Sequence, residues 1–189
     1  MALSEQDKER IIEILSKAFG DNLSINYIVK QDAHRETRIR RLMMYALENC
    51  TRSGRVILSP GKDACSLVLL PHTKRFSLAS LWLDVLLIIQ VTGLFSFWKV
   101  MERERQIAKQ HPKSEFYYLW FIAVDPAVKG EGKGTALLRQ LIEESESLNL
   151  PFHLETSTVI NLPWYRNFGF KIYHELNLGY SLFFLKRIS

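Results

Sequence analysis

The chain has 189 residues, a formal net charge of +5, 47% apolar residues and 24% charged residues. That balance is ordinary for a globular protein, and the chain has no low-complexity tract, internal repeat or long Gly/Ser linker. It suits one soluble domain, 1–189, that buries roughly 70% of its unfolded surface.

The first stretch, "MALSEQDKERIIEIL", is broken by acids and bases and has no apolar h-region, so no signal peptide is expected. Asp7 to Phe19 reads as a helix with Ile11, Ile12, Ile14, Leu15 and Ala18 on its apolar stripe. A second helix is expected over residues 32–52. It holds the densest basic cluster, "HRETRIRR", yet Ile39, Leu42, Met43, Ala46, Leu47 and Cys50 repeat at helical spacing. The arginines then belong to a solvated face, and no nucleic-acid partner is expected. "RVILSP" and "ACSLVLLP", separated by "SPGKD", read as a β-hairpin. Cys50 and Cys65 lie in no CxxC or Cys/His cluster, which points to reduced thiols, a cytoplasmic setting and no metal site.

From Phe76 to Trp98 the only charge is Asp84. That length could span a bilayer, but an aspartate inside a span costs about 2.5–3.5 kcal/mol. Gln90 adds a polar group and Gly93 a break. The expectation is instead a helical insert over 76–109, made of helices 77–91 and 94–109, with no membrane partner. The insert either walls a substrate pocket or forms a homodimer interface.

"EFYYLWFIAVD" reads as a long strand, "GKGTALLRQLIEESESLNL" as a helix stopped by Pro151, and "FHLETS" as a strand. "NLPWYRNFGF" reads as a short helix: Pro163 suits its first turn and Gly169 the left-handed residue past its end. "KIYHELNL" and "YSLFFLKR" close the chain as two strands. The element order αα-ββ-αα-β-α-β-α-ββ is that of a mixed α/β domain.

Between the long strand and its helix lies "VDPAVKGEGKGTALL". Small residues let several backbone N–H groups point at one anion, and a helix N-terminus adds positive potential. The spacing rejects the P-loop, because Ala127 stands at its first glycine and Gly134 follows Lys133 where Ser or Thr is required. It also rejects G-x-G-x-x-G, whose third glycine would fall on Thr135 or Leu137. What remains is a basic residue or Gln, then x-x-G-x-G, met by Lys129, Gly132 and Gly134. Downstream, Tyr165 precedes Gly169-Phe170 as Y-x-x-x-G-F.

These two motifs, in this order and on these elements, resemble the GNAT N-acetyltransferase superfamily, most strongly over residues 111–184. The resemblance implies an α/β (α+β) fold: a mixed, mostly antiparallel sheet, splayed between the family's strands 4 and 5 and flanked by helices. The helical insert would lie between the family's strands 3 and 4. "HPKSEFYYLWFIAVDP", "LETS" and "NLPWY" look in addition like the puromycin N-acetyltransferase branch, with Trp164 for the usual Phe and Lys129 for the usual Gln.

The same resemblance implies acetyl-CoA as donor; the aromatic pocket residues favour a small-molecule primary amine as the expected acceptor, attacking directly in a ternary complex. A protein amine, Lys or N-terminal, is the alternative acceptor, and a CoA-binding sensor without turnover the alternative role. Backbone groups of Ile122, Ala123 and Val124 would pair with the cofactor's amide arm. N–H groups from Lys129 through Gly130, Gly132, Lys133, Gly134 and Thr135 would hold the pyrophosphate. Asn161 would either bond the cofactor arm or cap its own helix. Val124 N–H suits a developing oxyanion, and Tyr165 matches the family's general acid. Trp120 and Tyr118 stand where many relatives carry a basic Glu or His. That leaves Glu155 as the carboxylate best placed to be the base, and His111 as a weaker candidate. Tyr117, Tyr118, Trp120 and Trp164 would either line the acceptor pocket or pack the core.

Overall fold

The computed structural model describes residues 3–73, 91–92 and 97–188. The expected helix 77–91 therefore lies, but for Val91, outside the described residues, as does most of the apolar stretch 76–98. Among the described residues no helix is long and apolar enough to cross a membrane.

Helix α1, Glu5–Ala18, opens with a capping box in which Ser4 and Asp7 satisfy each other's backbone N–H. It buries Ile11, Ile12, Ile14 and Leu15. Helix α2, Leu23–Ile28, has no counterpart among the expected elements; the Asn22 side chain caps it by accepting from the N–H groups of Ser24 and Ile25. Six residues carry too little periodicity to announce a helix, and the cap does the local work. Helix α3, Arg35–Ser53, buries the expected stripe of Ile39, Leu42, Met43, Ala46, Leu47 and Cys50. Strands β1, Gly54–Leu58, and β2, Ala64–Leu69, form the hairpin, and helix α4 is Phe97–Gln110. Strand β3, Tyr117–Val124, leads through the glycine loop into helix α5, Lys133–Ser147. Strand β4, Phe152–Thr156, helix α6, Leu162–Asn167, and strands β5, Lys171–Asn177, and β6, Ser181–Arg187, complete the chain.

The strands form one sheet in the order β1-β2-β3-β4-β6-β5. Every pair is antiparallel except β3 with β4. That parallel pair is short. It runs from Tyr117↔Phe152 to Leu119↔Leu154 and stops, while β3 continues against β2 as far as Val124. The sheet is therefore splayed between β3 and β4, in the place of the family's strands 4 and 5.

A bulge sits at the point of divergence. Leu67 pairs with Phe121 and Val68 with Leu119, which leaves Trp120 as an extra residue on β3. One extra residue moves every later side chain to the other face and sharpens the twist. Tyr117 and Leu119 accordingly join the core under α5, with Leu138, Leu141, Phe152 and Leu185. Phe121 and Ala123 join the core under α1 and α3, with Ile14, Leu15, Met43 and Cys65.

Candidate active site

The splay opens a cavity of about 290 Å³. Its walls bring together Tyr118, Trp120 and Ile122 of β3, Glu155 of β4, Asn161, and Tyr165 of α6, all six singled out from the sequence. Phe19, Ile25, Leu42 and Tyr45 supply an apolar side.

Past Leu119 the β3 edge has no β4 partner, and its hydrogen-bond phase follows from the end of the strand. The Asp125 N–H donates to the Asp63 carbonyl at 2.7 Å, so Asp125 faces β2. The Ala64 backbone is used by Ser59 on the other side: Ser59 N–H donates to Ala64 O at 2.8 Å, and Ala64 N–H donates to Ser59 Oγ at 3.0 Å. In an antiparallel ladder the phase alternates. Ile122 and Val124 thus direct their backbone groups to the open edge, while those of Ala123 face β2 and Cys65. Of the three residues expected to pair with a cofactor arm, two present backbone groups to it.

The glycine loop follows at the end of that edge. Gly130 and Gly132 have φ of 99° and 77°, the left-handed region that glycine enters at least cost. A Cβ at either would meet nothing within 4 Å, so the loop leaves open space on that side. Gly134 differs: a Cβ there would lie 3.3 Å from Val124 Cγ2, so glycine permits the close approach of α5 to β3. Helix α5 has no side-chain cap, and its first backbone bond is Ala136 N–H to Gly132 O. The N–H groups of Lys133, Gly134 and Thr135 therefore have no partner among the described residues, which makes a helix N-terminus ready for an anion.

The two loop lysines differ. Lys129 is exposed, and its N–H makes a 3.4 Å bond to Pro126 O. Lys133 Nζ is bonded to Asp63 and lies 3.4 Å from Glu131. Its ammonium is raised above the usual range by the Asp63 hydrogen bond, and Asp63 is lowered by the same bond. Asp125, which ends β3, accepts from Ala127 N–H at 3.0 Å and from Arg10 Nη2 at 2.5 Å. Those two bonds, the backbone one first, hold its carboxyl below the usual range. The loop is thus tied to α1 and to the β1–β2 turn.

Tyr165 is buried and packs on Trp164 and Phe170, with ring centroids at 4.8 and 5.8 Å. Among the described residues its hydroxyl has no hydrogen-bond partner, and the residue lines the cavity. Burial pushes the phenol well above its ordinary value, so it keeps its proton. Asn161 stands at the N-cap of α6 but makes no capping bond, and its side chain lines the cavity instead.

Glu155 does not bond backbone N–H groups. Its Oε2 accepts from the Tyr118 hydroxyl at 2.5 Å, and its Oε1 is 2.6 Å from His111 Nε2. Burial first, then the Glu155 charge, drives the Tyr118 phenol well above its usual value. Nearby His153 is 5% exposed; burial and then the His111 charge lower it to about 4. Tyr117 and Trp164 lie away from the cavity. The Tyr117 hydroxyl donates to Glu144 at 3.0 Å, and the Trp164 indole N–H to Thr135 Oγ1 at 3.2 Å. The aromatic set is thus divided: Tyr118 and Trp120 line the cavity, and Tyr117 and Trp164 do not.

Arg103 and Glu104 of α4 also line the cavity, where the insert was expected to form a wall, although neither residue was singled out from the sequence. The Arg103 side chain is 8% exposed and donates to Tyr180, Ser24 and Glu104. In the sequence it sits within "ERER", which reads as a wet face. The signal that could have found it is its spacing from Val100 and Ile107, the buried stripe of α4. No group of three or more His, Cys, Asp or Glu is placed to hold a metal among the described residues.

Residues 77–170, about half of the chain, match the acetyltransferase (GNAT) family. An acetyltransferase structure from Corynebacterium glutamicum, described as histone acetyltransferase HPA2 and related acetyltransferase, aligns over 100% of this chain and 94% of its own, with TM-score 0.72 and 18% identity. Arylalkylamine N-acetyltransferase 2 from Aedes aegypti aligns over 100% and 97%, with TM-score 0.65 and 14% identity. The PaiA N-acetyltransferase from Thermoplasma acidophilum, solved with coenzyme A, aligns over 100% and 97%, with TM-score 0.57 and 11% identity. At these identities the three share the fold.

Proposed function

The chain belongs to the GNAT acetyltransferase family, and we propose that it moves an acetyl group from acetyl-CoA to the primary amine of a small molecule, by direct attack while both are bound. The observation that carries this reading is convergence. Tyr165 and Glu155 line one cavity, beside a β3 edge that ends at an uncapped, glycine-opened helix.

Acetyl-CoA supplies an acetyl group on a thioester, whose thiol is a good leaving group. The residues of this chain hold and orient it. The N–H groups of Lys133, Gly134 and Thr135 and the space beside Gly130 and Gly132 suit its pyrophosphate. Lys129 adds an exposed cation. Lys133, already shared by Asp63 and Glu131, orders the loop more than it offers free charge. Ile122 and Val124 pair with the amide arm as an added strand pairs with an open edge. Val124 N–H donates to the carbonyl oxygen as negative charge grows there. Tyr165, kept protonated by burial, holds a proton for the departing sulfur. Glu155 takes the proton of the amine.

The acceptor wall is apolar and aromatic on the side of Phe19, Leu42, Tyr45 and Trp120. It suits an amine with an alkyl or aryl body. A protein amine is the second reading, favoured by Val159 and Ile160, which are 61% and 83% exposed next to Asn161. Thiol release from acetyl-CoA with a panel of small amines and with peptides bearing free N-termini separates them. Release with small amines supports the proposal, release with peptides alone transfers the activity to proteins, and binding without release leaves a sensor.

A further inference from the structure

Glu155 lines the cavity, and His111 does not. The imidazole stands behind the carboxylate, 20% exposed against 10% for Glu155. We infer that His111 is a positioning residue: its Nε2–H and the Tyr118 hydroxyl clamp the two oxygens of Glu155 and aim the carboxylate at the amine held in the cavity. This rests on the proposed acetyl transfer with Glu155 as base.

A glutamate's last torsion is broad and two-fold, so an unclamped carboxylate swings. Two donors on separate oxygens fix its plane. The donors come from different elements, Tyr118 from β3 and His111 from the segment after α4, at 2.5 and 2.6 Å. An ionised carboxylate only accepts, so the hydrogen of this contact belongs to Nε2. Four lone-pair sites serve two oxygens, so the two donors leave acceptor capacity on a carboxylate that lines the cavity. The imidazole is itself held, with ring centroids 5.4 Å from Phe116 and 5.0 Å from Tyr118. The residue before it is held too: the Gln110 carbonyl accepts from the Tyr173 hydroxyl at 3.3 Å. The end of the helical insert is thereby fastened to the base.

In this role the proton passes from the amine nitrogen to a Glu155 oxygen, and His111 neither gains nor loses one. A side chain that donates without titrating should therefore replace it. The test measures kcat with the best amine of the panel for His111→Leu, His111→Gln, Glu155→Gln and the His111→Leu/Glu155→Gln double variant. Acetyl-CoA affinity and thermal midpoint are followed as checks on folding. His111→Leu should lose about 10- to 100-fold in kcat, as expected for a lost charge-assisted hydrogen bond. His111→Gln, which can still donate, should stay within about threefold of the parent. The double variant should be no slower than Glu155→Gln alone, because His111 acts only through Glu155.

Parental kcat in His111→Leu overturns the clamp. So does equal loss in His111→Gln, which would make His111 a proton carrier or a packing residue. A double variant slower than Glu155→Gln by the full His111→Leu factor also overturns it. Parental kcat in Glu155→Gln sinks the assignment of Glu155 as base together with the clamp, whereas a slow Glu155→Gln beside a normal His111→Leu sinks the clamp alone. If His111→Leu does not fold, His111→Asn reads the same question, since its amide stops short of Oε1.

Discussion

The Trp164 indole N–H donates to Thr135 Oγ1 across 3.2 Å, joining the helix that carries Tyr165 to the helix that the glycine loop opens. The two candidate halves of the site, anion seat and acid, are thus one mechanical unit. Thr135→Val keeps the shape and removes the acceptor. It should cost about 1 kcal/mol of stability and weaken acetyl-CoA binding a few-fold, read by thermal melting and by titration with acetyl-CoA.

Tyr165→Phe isolates the hydroxyl, because the ring contacts with Trp164 and Phe170 survive. Kcat should fall by about 10²–10⁴ with acetyl-CoA affinity and thermal midpoint unchanged. An unchanged kcat would refute Tyr165 as the acid.

Gly132 holds φ 77° at the N-cap of α5. Gly132→Ala meets no steric neighbour, so its effect reports the backbone angle alone. The left-handed conformation costs a non-glycine residue roughly 1–2 kcal/mol. The expected result is a lower melting temperature and a raised KM for acetyl-CoA, with little change in kcat once acetyl-CoA saturates.

His153 gives a pH signature in stability. Its folded value, about 4, lies below the unfolded 6.5 because the neutral ring is buried. Between those values the unfolded chain binds a proton that the folded chain refuses, so stability is full above about pH 6.5 and falls as pH drops toward 4. The loss approaches about 3 kcal/mol from this residue. Urea denaturation across that window should show a shallower fall for His153→Gln than for the parent.

The sequence reached the glycine loop, the Y-x-x-x-G-F helix and the succession of strands along the chain because each rests on short-range signals: glycine spacing, a proline at a first turn, and alternation. It missed α2, whose six residues depend on one Asn22 cap. It also missed the bulge at Trp120, since burial along β3 still alternates through it while the faces change. The pairing of His111 with Glu155 joins residues 44 apart, and no local pattern announces it. Arg103 was hidden by its charged neighbours, because only tertiary packing against Ser24 and Tyr180 turns that charge inward.

The central event is transfer of the acetyl group to an amine in the cavity between β3 and β4. The most direct measurement is mass spectrometry of small amines incubated with acetyl-CoA and the protein, with thiol release followed in parallel. The prediction is an amine one acetyl group heavier, formed in step with free thiol, and loss of both with Tyr165→Phe. Acetyl-CoA bound tightly but recovered intact with every amine and peptide tried would contradict it.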